Sequence, residues 1–151
     1  MYEKFGQFID GKWQASSNKE TYEVINPANE EVIGRASKAS PEDVDRALKS
    51  AEKGLEVWKK TSPWKRSSVI RKIADLIRAK QDVLAKWITL EVGKPFLEGK
   101  GEVGATADIF EWNSEETKRI YGQTVESRFE ETRIHVYYQP IGVVAAMSPW
   151  N

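Results

Sequence analysis

The chain has 151 residues, 40% of them hydrophobic, which suits a single domain able to bury a core. Lys plus Arg and Asp plus Glu both number 23, so the formal net charge is zero, and no long run of one sign offers a footprint for nucleic acid. With no cysteine, the sequence excludes a disulfide framework, a thiolate zinc site and a thiol nucleophile within these residues.

The expected partner is therefore a small molecule or another protein. Neither an apolar segment of signal-peptide type at the N-terminus nor a run of 18 apolar residues is present. No membrane partner and a cytoplasmic location are expected.

Short strands open the chain. Phe8-Ile9 and Lys12-Trp13 flank Asp10-Gly11, a pair suited to the positive φ angles of a type I′ hairpin. Tyr22 to Ile25 and Val32 to Ala36 form a second pair around Asn26-Pro27-Ala28-Asn29. Helix then starts at Ser40-Pro41, with Asp43 placed to complete a capping box. Val44, Leu48, Ala51, Leu55 and Trp58 recur at helical spacing and predict one apolar stripe laid on a core.

Ser62-Pro63 repeats the start signal for a long amphipathic helix through Ile88, bent near Lys80 and stopped at Gly93 with Pro95 beyond. A third helix is expected from about Glu98 to Arg119. Gly99, Gly101 and Gly104 satisfy G-x-G-x-x-G, but a dinucleotide fingerprint needs a preceding strand, and here a helix end precedes it. Small residues for close helix packing are the preferred reading.

Beyond Tyr121-Gly122 the period drops to two. Thr132, Ile134, Val136 and Tyr138 alternate with Arg133, His135, Tyr137 and Gln139, as in a half-exposed strand. His135, the only histidine, shares the polar face and reads as a surface or interface residue, not a general base. Lys53, Lys59, Lys60, Lys65 and Arg66 are interrupted by acids and Trp and read as a solvated face. After Pro140, the apolar run from Ile141 to Met147 predicts a strand covered on both faces in a parallel sheet. Ser148-Pro149-Trp150-Asn151 would leave its carboxyl end, where open parallel sheets collect ligands. An Asn amide suits developing negative oxygen, and a Trp supplies a flat wall; the plainer alternative is a turn with Trp150 as packing.

Pro140 to Val144 followed by Ser148 to Asn151 resembles the approach to the active site of the aldehyde dehydrogenase family. Phe8 to Trp13, Ile25 to Ala28, Ser40 to Val44, Glu91 to Pro95 and Tyr121-Gly122 resemble further landmarks of that family, in its order. The resemblance covers essentially the whole chain. It implies an α/β fold of which this chain is the N-terminal part: short strands, amphipathic helices, a bridging hairpin and the first buried strand of a Rossmann-like parallel sheet. Residues 1–121 would begin the cofactor-binding domain, 122–140 form the oligomerisation hairpin, and 141–151 supply the sheet strand and active-site loop, with the catalytic domain absent.

The implied reaction is NAD(P)-dependent oxidation of an aldehyde, in which a cysteine attacks the carbonyl and a glutamate-activated water releases the acid. Asn151 matches the oxyanion-holding asparagine, and Met147, Ser148, Pro149, Trp150 and Asn151 match the nicotinamide side of an NAD or NADP site. Glu91, with backbone carbonyls at Val24 and Ile25, matches a structural monovalent cation site, against the plainer reading of a solvated helix-end carboxylate. Glu111-Trp112, Glu115-Glu116 and Arg119 to Gly122 resemble the succinate-semialdehyde branch. Homodimer or homotetramer assembly through 122–140 is implied too. Lacking the nucleophile, these residues alone are not expected to oxidise aldehydes. Two rival readings are a non-catalytic module that pairs through its edge strand and an unrelated nucleotide-binding enzyme using the glycine segment.

Overall fold

The computed structural model describes residues 6–148. Strands β1 (Gln7–Ile9) and β2 (Lys12–Gln14) pair antiparallel, with Phe8 opposite Trp13 and their rings 5.1 Å apart. Between them Asp10 and Gly11 have φ of 54° and 73°, both positive as a type I′ turn requires. Strands β3 (Thr21–Ile25) and β4 (Val32–Ser37) form a second hairpin, with a register shift between Val24 and Ile25. Its turn is closed by the Asn26 side-chain oxygen, which accepts from the Ala28 amide at 3.0 Å, and by the Asn26 amide on the Glu31 carbonyl at 2.9 Å.

Helix α1 (Pro41–Trp58) begins with the expected capping box: Ser40 Oγ accepts from the Asp43 amide, and Asp43 Oδ2 accepts from the Ser40 amide at 2.9 Å. Asp43 does more than cap. Its carboxylate, 1% exposed, also accepts from the Ser17 hydroxyl at 2.6 Å, the Ser17 amide at 3.1 Å, Gln7 Nε2 at 3.3 Å and Arg46 at 2.5 Å. The Ser17 hydroxyl first, then the Ser40 amide, hold this carboxyl far below the ordinary carboxylate range, with Arg46 and the Ser17 amide adding and burial opposing.

The apolar stripe of α1 is in place but is not laid on a core. Val44, Leu48 and Trp58 are 50%, 45% and 40% exposed, because among the described residues no helix packs against α1.

The expected long helix is two: α2 (Pro63–Ala79), capped by Ser62 Oγ on the Lys65 amide, and α3 (Gln81–Val92). Lys80, at φ −110° and ψ 14°, leaves the helical region, and the next residue ties α3 elsewhere: Gln81 Nε2 donates to the Lys100 carbonyl at 2.9 Å. Gly93 ends α3 at φ 76°, the left-handed C-terminal position that glycine tolerates best.

Helix α4 (Phe96–Glu116) runs into a 3-10 turn over Thr117–Arg119. Packing of α2 and α3 on α4 uses small residues: Ala74, Ala85, Ala107 and Ser114 are fully buried, and Val103 is 5% exposed. The three glycines of the G-x-G-x-x-G match all lie inside α4. A β-carbon on Gly99 would come within 3.3 Å of the Ala85 carbonyl oxygen and of Ile88 Cγ2. That glycine serves helix contact, as the absence of a preceding strand implies.

Across the α2–α4 seam, which runs antiparallel, Arg71 pairs with Glu111 at 3.0 Å and reaches Glu115 at 3.8 Å. Arg78 pairs with Asp108 at 2.8 Å and with Glu111. The hydrogen bonds that Arg78 donates to the Asp108 and Glu111 carboxylates raise its pKa above the usual value. Lys53, Lys59, Lys60 and Lys65 are exposed as expected of a solvated face; Arg66 departs from it, being half-buried with its Nε enclosed.

Strands β5 (Gln123–Glu126) and β6 (Arg133–Val136) pair antiparallel, Val125 opposite Ile134 and Thr124 opposite His135. Alternation sends Val125, Ile134 and Val136 to one face and Thr124, Arg133 and His135 to the other. His135 is exposed, with Nδ1 3.2 Å from Thr124 Oγ1.

The predicted strand from 141 to 147 is not formed. Ile141, Val144 and Met147 are 93%, 71% and 96% exposed. The described strands make only three two-stranded antiparallel hairpins, so no parallel neighbour is at hand to satisfy this segment's backbone groups.

Candidate functional site

Of the residues expected to line the cofactor, Met147 and Ser148 lie on this extended, exposed segment. Pro149, Trp150 and Asn151 fall outside the described residues. Met147 and Ser148 are accessible to a ligand, yet they enclose nothing by themselves, since a dinucleotide site at a sheet's carboxyl edge needs neighbouring strands and loops.

For the other expected site, the structure shows an approach of the elements that carry its residues. The C-terminal end of α3 lies against the β3–β4 turn: a β-carbon on Gly93 would meet Pro27 Cγ at 3.2 Å. Glu91, one turn end away, is partly buried, and this burial raises its carboxyl pKa. Val24 and Ile25 flank the register shift in β3, where the ladder is locally irregular. One carboxylate with backbone carbonyls is a hard oxygen donor set that fits a monovalent cation and falls short of a transition-metal site. Among the described residues no group of three or more His, Cys, Asp or Glu could hold a metal ion.

Nearby, Lys94 pairs with Glu102, linking the residue after Gly93 to α4. That pair, and the Asp43 hub, were not legible in the sequence. The Ser17–Asp43 contact joins residues 26 apart, and neither Ser17 nor Lys94 stands out by spacing. A different kind of signal, the capping-box pattern, did identify Asp43 as a helix-start residue.

Mixed helices and short antiparallel hairpins make the described residues an α/β structure. A sequence model of the Aldehyde dehydrogenase family matches residues 13–151, and the chain belongs to that family. It is 42% identical over 144 residues to the glutarate-semialdehyde dehydrogenase of Pseudomonas aeruginosa, covering 95% of this chain and 30% of that protein. It is 43% identical over 143 residues to the succinate semialdehyde dehydrogenase of Acinetobacter baylyi, again with 95% and 30% coverage. Among solved structures, an NADP-dependent enzyme from Escherichia coli superposes with a TM-score of 0.82 at 35% identity, covering 88% of this chain and 28% of the other.

The chain thus spans about 30% of the length of these relatives. Its α/β architecture matches their N-terminal region. Among the described residues no helix is long and apolar enough to cross a membrane.

Proposed function

We propose that these residues form the N-terminal part of an NAD(P)-dependent dehydrogenase that oxidises a semialdehyde, such as succinate or glutarate semialdehyde, to a carboxylate in the cytoplasm. The observation that carries this reading is the 42–43% identity to two semialdehyde dehydrogenases across 95% of the chain. Residues 1–121 would open the cofactor-binding domain, 122–140 the assembly hairpin, and 141–151 the first sheet strand with its loop. Neighbouring strands would come from polypeptide not among these residues, which explains why an apolar segment suited to burial is exposed here.

Bound NAD(P) supplies a hydride acceptor. The Asn151 amide would donate a hydrogen bond to the aldehyde oxygen as it gains charge, and Met147, Ser148, Pro149 and Trp150 would border the nicotinamide side. The nucleophilic thiol must come from elsewhere, since these residues hold no cysteine. Glu91 with the Val24 and Ile25 carbonyls would bind a structural monovalent cation, whose charge would favour the ionised carboxylate that burial disfavours.

Assembly as a homodimer or homotetramer would use the apolar face of β5–β6, where Val125, Ile134 and Val136 are 43%, 42% and 38% exposed. The deciding experiment assays the natural polypeptide that carries these residues with succinate and glutarate semialdehydes and each nicotinamide cofactor. Semialdehyde-dependent reduction of NAD or NADP supports the reading; its absence with both aldehydes overturns it.

A further inference from the structure

The geometry points to a phosphate-binding groove between the first hairpin and α1, with Lys49 and Lys53 as the side chains that hold the anion. It uses none of the residues proposed for cofactor, oxyanion or cation, and it does not depend on the dehydrogenase reading. The groove has a volume of about 300 Å³, at the lower end of small-molecule sites, and runs between the β1–β2 turn and one face of α1.

Helical spacing puts Arg46, Lys49, Ser50 and Lys53 within about 100° of the α1 circumference, and all four line the groove. Side-chain contacts tie this face to the hairpin. Gln14 Nε2 donates to the Ile9 carbonyl at 3.2 Å, and Gln14 Oε1 accepts from Arg46 Nη1 at 3.0 Å. Both walls are therefore set before any ligand arrives, which lowers the ordering cost of binding.

Charge along the groove is unbalanced. Arg46 is answered by Asp43, whereas Lys49 and Lys53 make no ion pair among the described residues. Asp10 is the one acid in the lining. On α1 itself, Glu42 is back in the first turn, Asp45 and Glu52 fall outside the arc, and Glu56 is held by Lys59. Beside the lysines, Arg46 Nε is enclosed with no acceptor among the described residues, a charged donor left over after Asp43 and Gln14 are served.

Lys49 and Lys53 stand four residues apart on one helix, near enough for their like charges to repel. A dianion seated between them turns that repulsion into two attractions. A phosphate group carries about 1.5–2 negative charges near neutral pH and three acceptor oxygens. Two ammonium groups answer that charge, and the Ser50 hydroxyl supplies a third donor. A single carboxylate would leave one ammonium unanswered.

The test reads each lysine separately. Reductive methylation of the natural polypeptide, followed by peptide mass spectrometry, gives the rate at which every lysine is modified. Rates are compared in chloride, inorganic phosphate, glycerol phosphate and succinate at equal ionic strength, with exposed Lys72 and Lys86 as references. Phosphate at twice its dissociation constant is expected to slow Lys49 and Lys53 about threefold and to leave both references unchanged. In Lys49→Met the protection of Lys53 should be lost.

Equal protection by inorganic phosphate and glycerol phosphate assigns the groove to the free ion, and stronger protection by the ester assigns it to a phosphorylated metabolite; both support the site. Unchanged rates at Lys49 and Lys53 overturn it. So does uniform slowing of all lysines, which is screening alone, and so does protection by succinate equal to that by phosphate. Lysines 49 and 53 that resist methylation even in chloride would mean that the groove is covered in the natural polypeptide, and would overturn it too. Protection of Lys53 that survives in Lys49→Met would separate the two lysines and end the proposal.

Discussion

The Ser17 hydroxyl donates to the Asp43 carboxylate across 2.6 Å, fastening the segment after the first hairpin to the first turn of α1. That carboxyl is held far below its ordinary range, so the contact should report on pH. An unfolded aspartate takes up a proton near pH 4, roughly, whereas the folded one resists it. Between those values the unfolded state binds more protons, so stability rises with pH there. The contribution is present above about pH 4 and is lost as pH falls from there toward the folded value. Thermal melts across this range should show wild type and Asp43→Asn converging on acidification; a constant gap would contradict the assignment.

The helix seam leaves no room at Gly99. Gly99→Val would drive side-chain carbon into the Ala85 carbonyl and Ile88, and overpacking of this kind costs about 1–3 kcal/mol. Urea denaturation should show a lower midpoint with unchanged secondary structure. The same change at Gly101, which faces open space, should cost nothing and leave the midpoint unchanged or slightly raised, because valine has a better helix propensity than glycine.

Asn151 carries the catalytic part of the proposed function. Removing an oxyanion donor costs on the order of 2.7–4 kcal/mol, a fall of about 10²–10³ in kcat. Steady-state kinetics of Asn151→Ala in the natural enzyme should show that fall with KM little changed. A wild-type kcat would remove Asn151 from the oxyanion role.

The cation binding proposed at Glu91 would have its own signature. Replacing potassium and sodium by a bulky organic cation at constant ionic strength should lower the melting temperature of the native protein. The Glu91→Gln variant should lose that dependence. Equal melting in all salts would leave Glu91 as a partly buried helix-end carboxylate.

Local chemistry was well legible in the sequence. Asp10-Gly11 predicted a turn whose two φ angles are both positive, Ser40 and Asp43 predicted a capping box, and Gly93 predicted the end of α3. Each of these signals acts within a few residues of itself. The failure at 141–147 is of another kind: an apolar run states that a segment belongs in an interior, while the interior must be built by other segments. Val44 and Leu48 make the same point on α1, whose stripe is correctly spaced and stays exposed. The division of one expected helix at Lys80 was visible only as a bend, because the Gln81 contact with α4 that accompanies it joins residues far apart in sequence. For the candidate site, Glu91 and the β3 carbonyls could be named from family resemblance, but the Gly93–Pro27 approach that brings their elements together has no local pattern.

The charged ladder between α2 and α4 works like teeth on a rack. Each arginine spans about one turn of α4, and Glu111 is gripped from both sides. Beneath it the buried residues are small, Ala74 on α2 and Ala107 and Ser114 on α4. A displacement of one helical turn, about 5.4 Å, would hand each arginine a different set of teeth and strand one carboxylate at the end of the row. The ladder thus acts as a vernier that favours one longitudinal setting of α2 against α4.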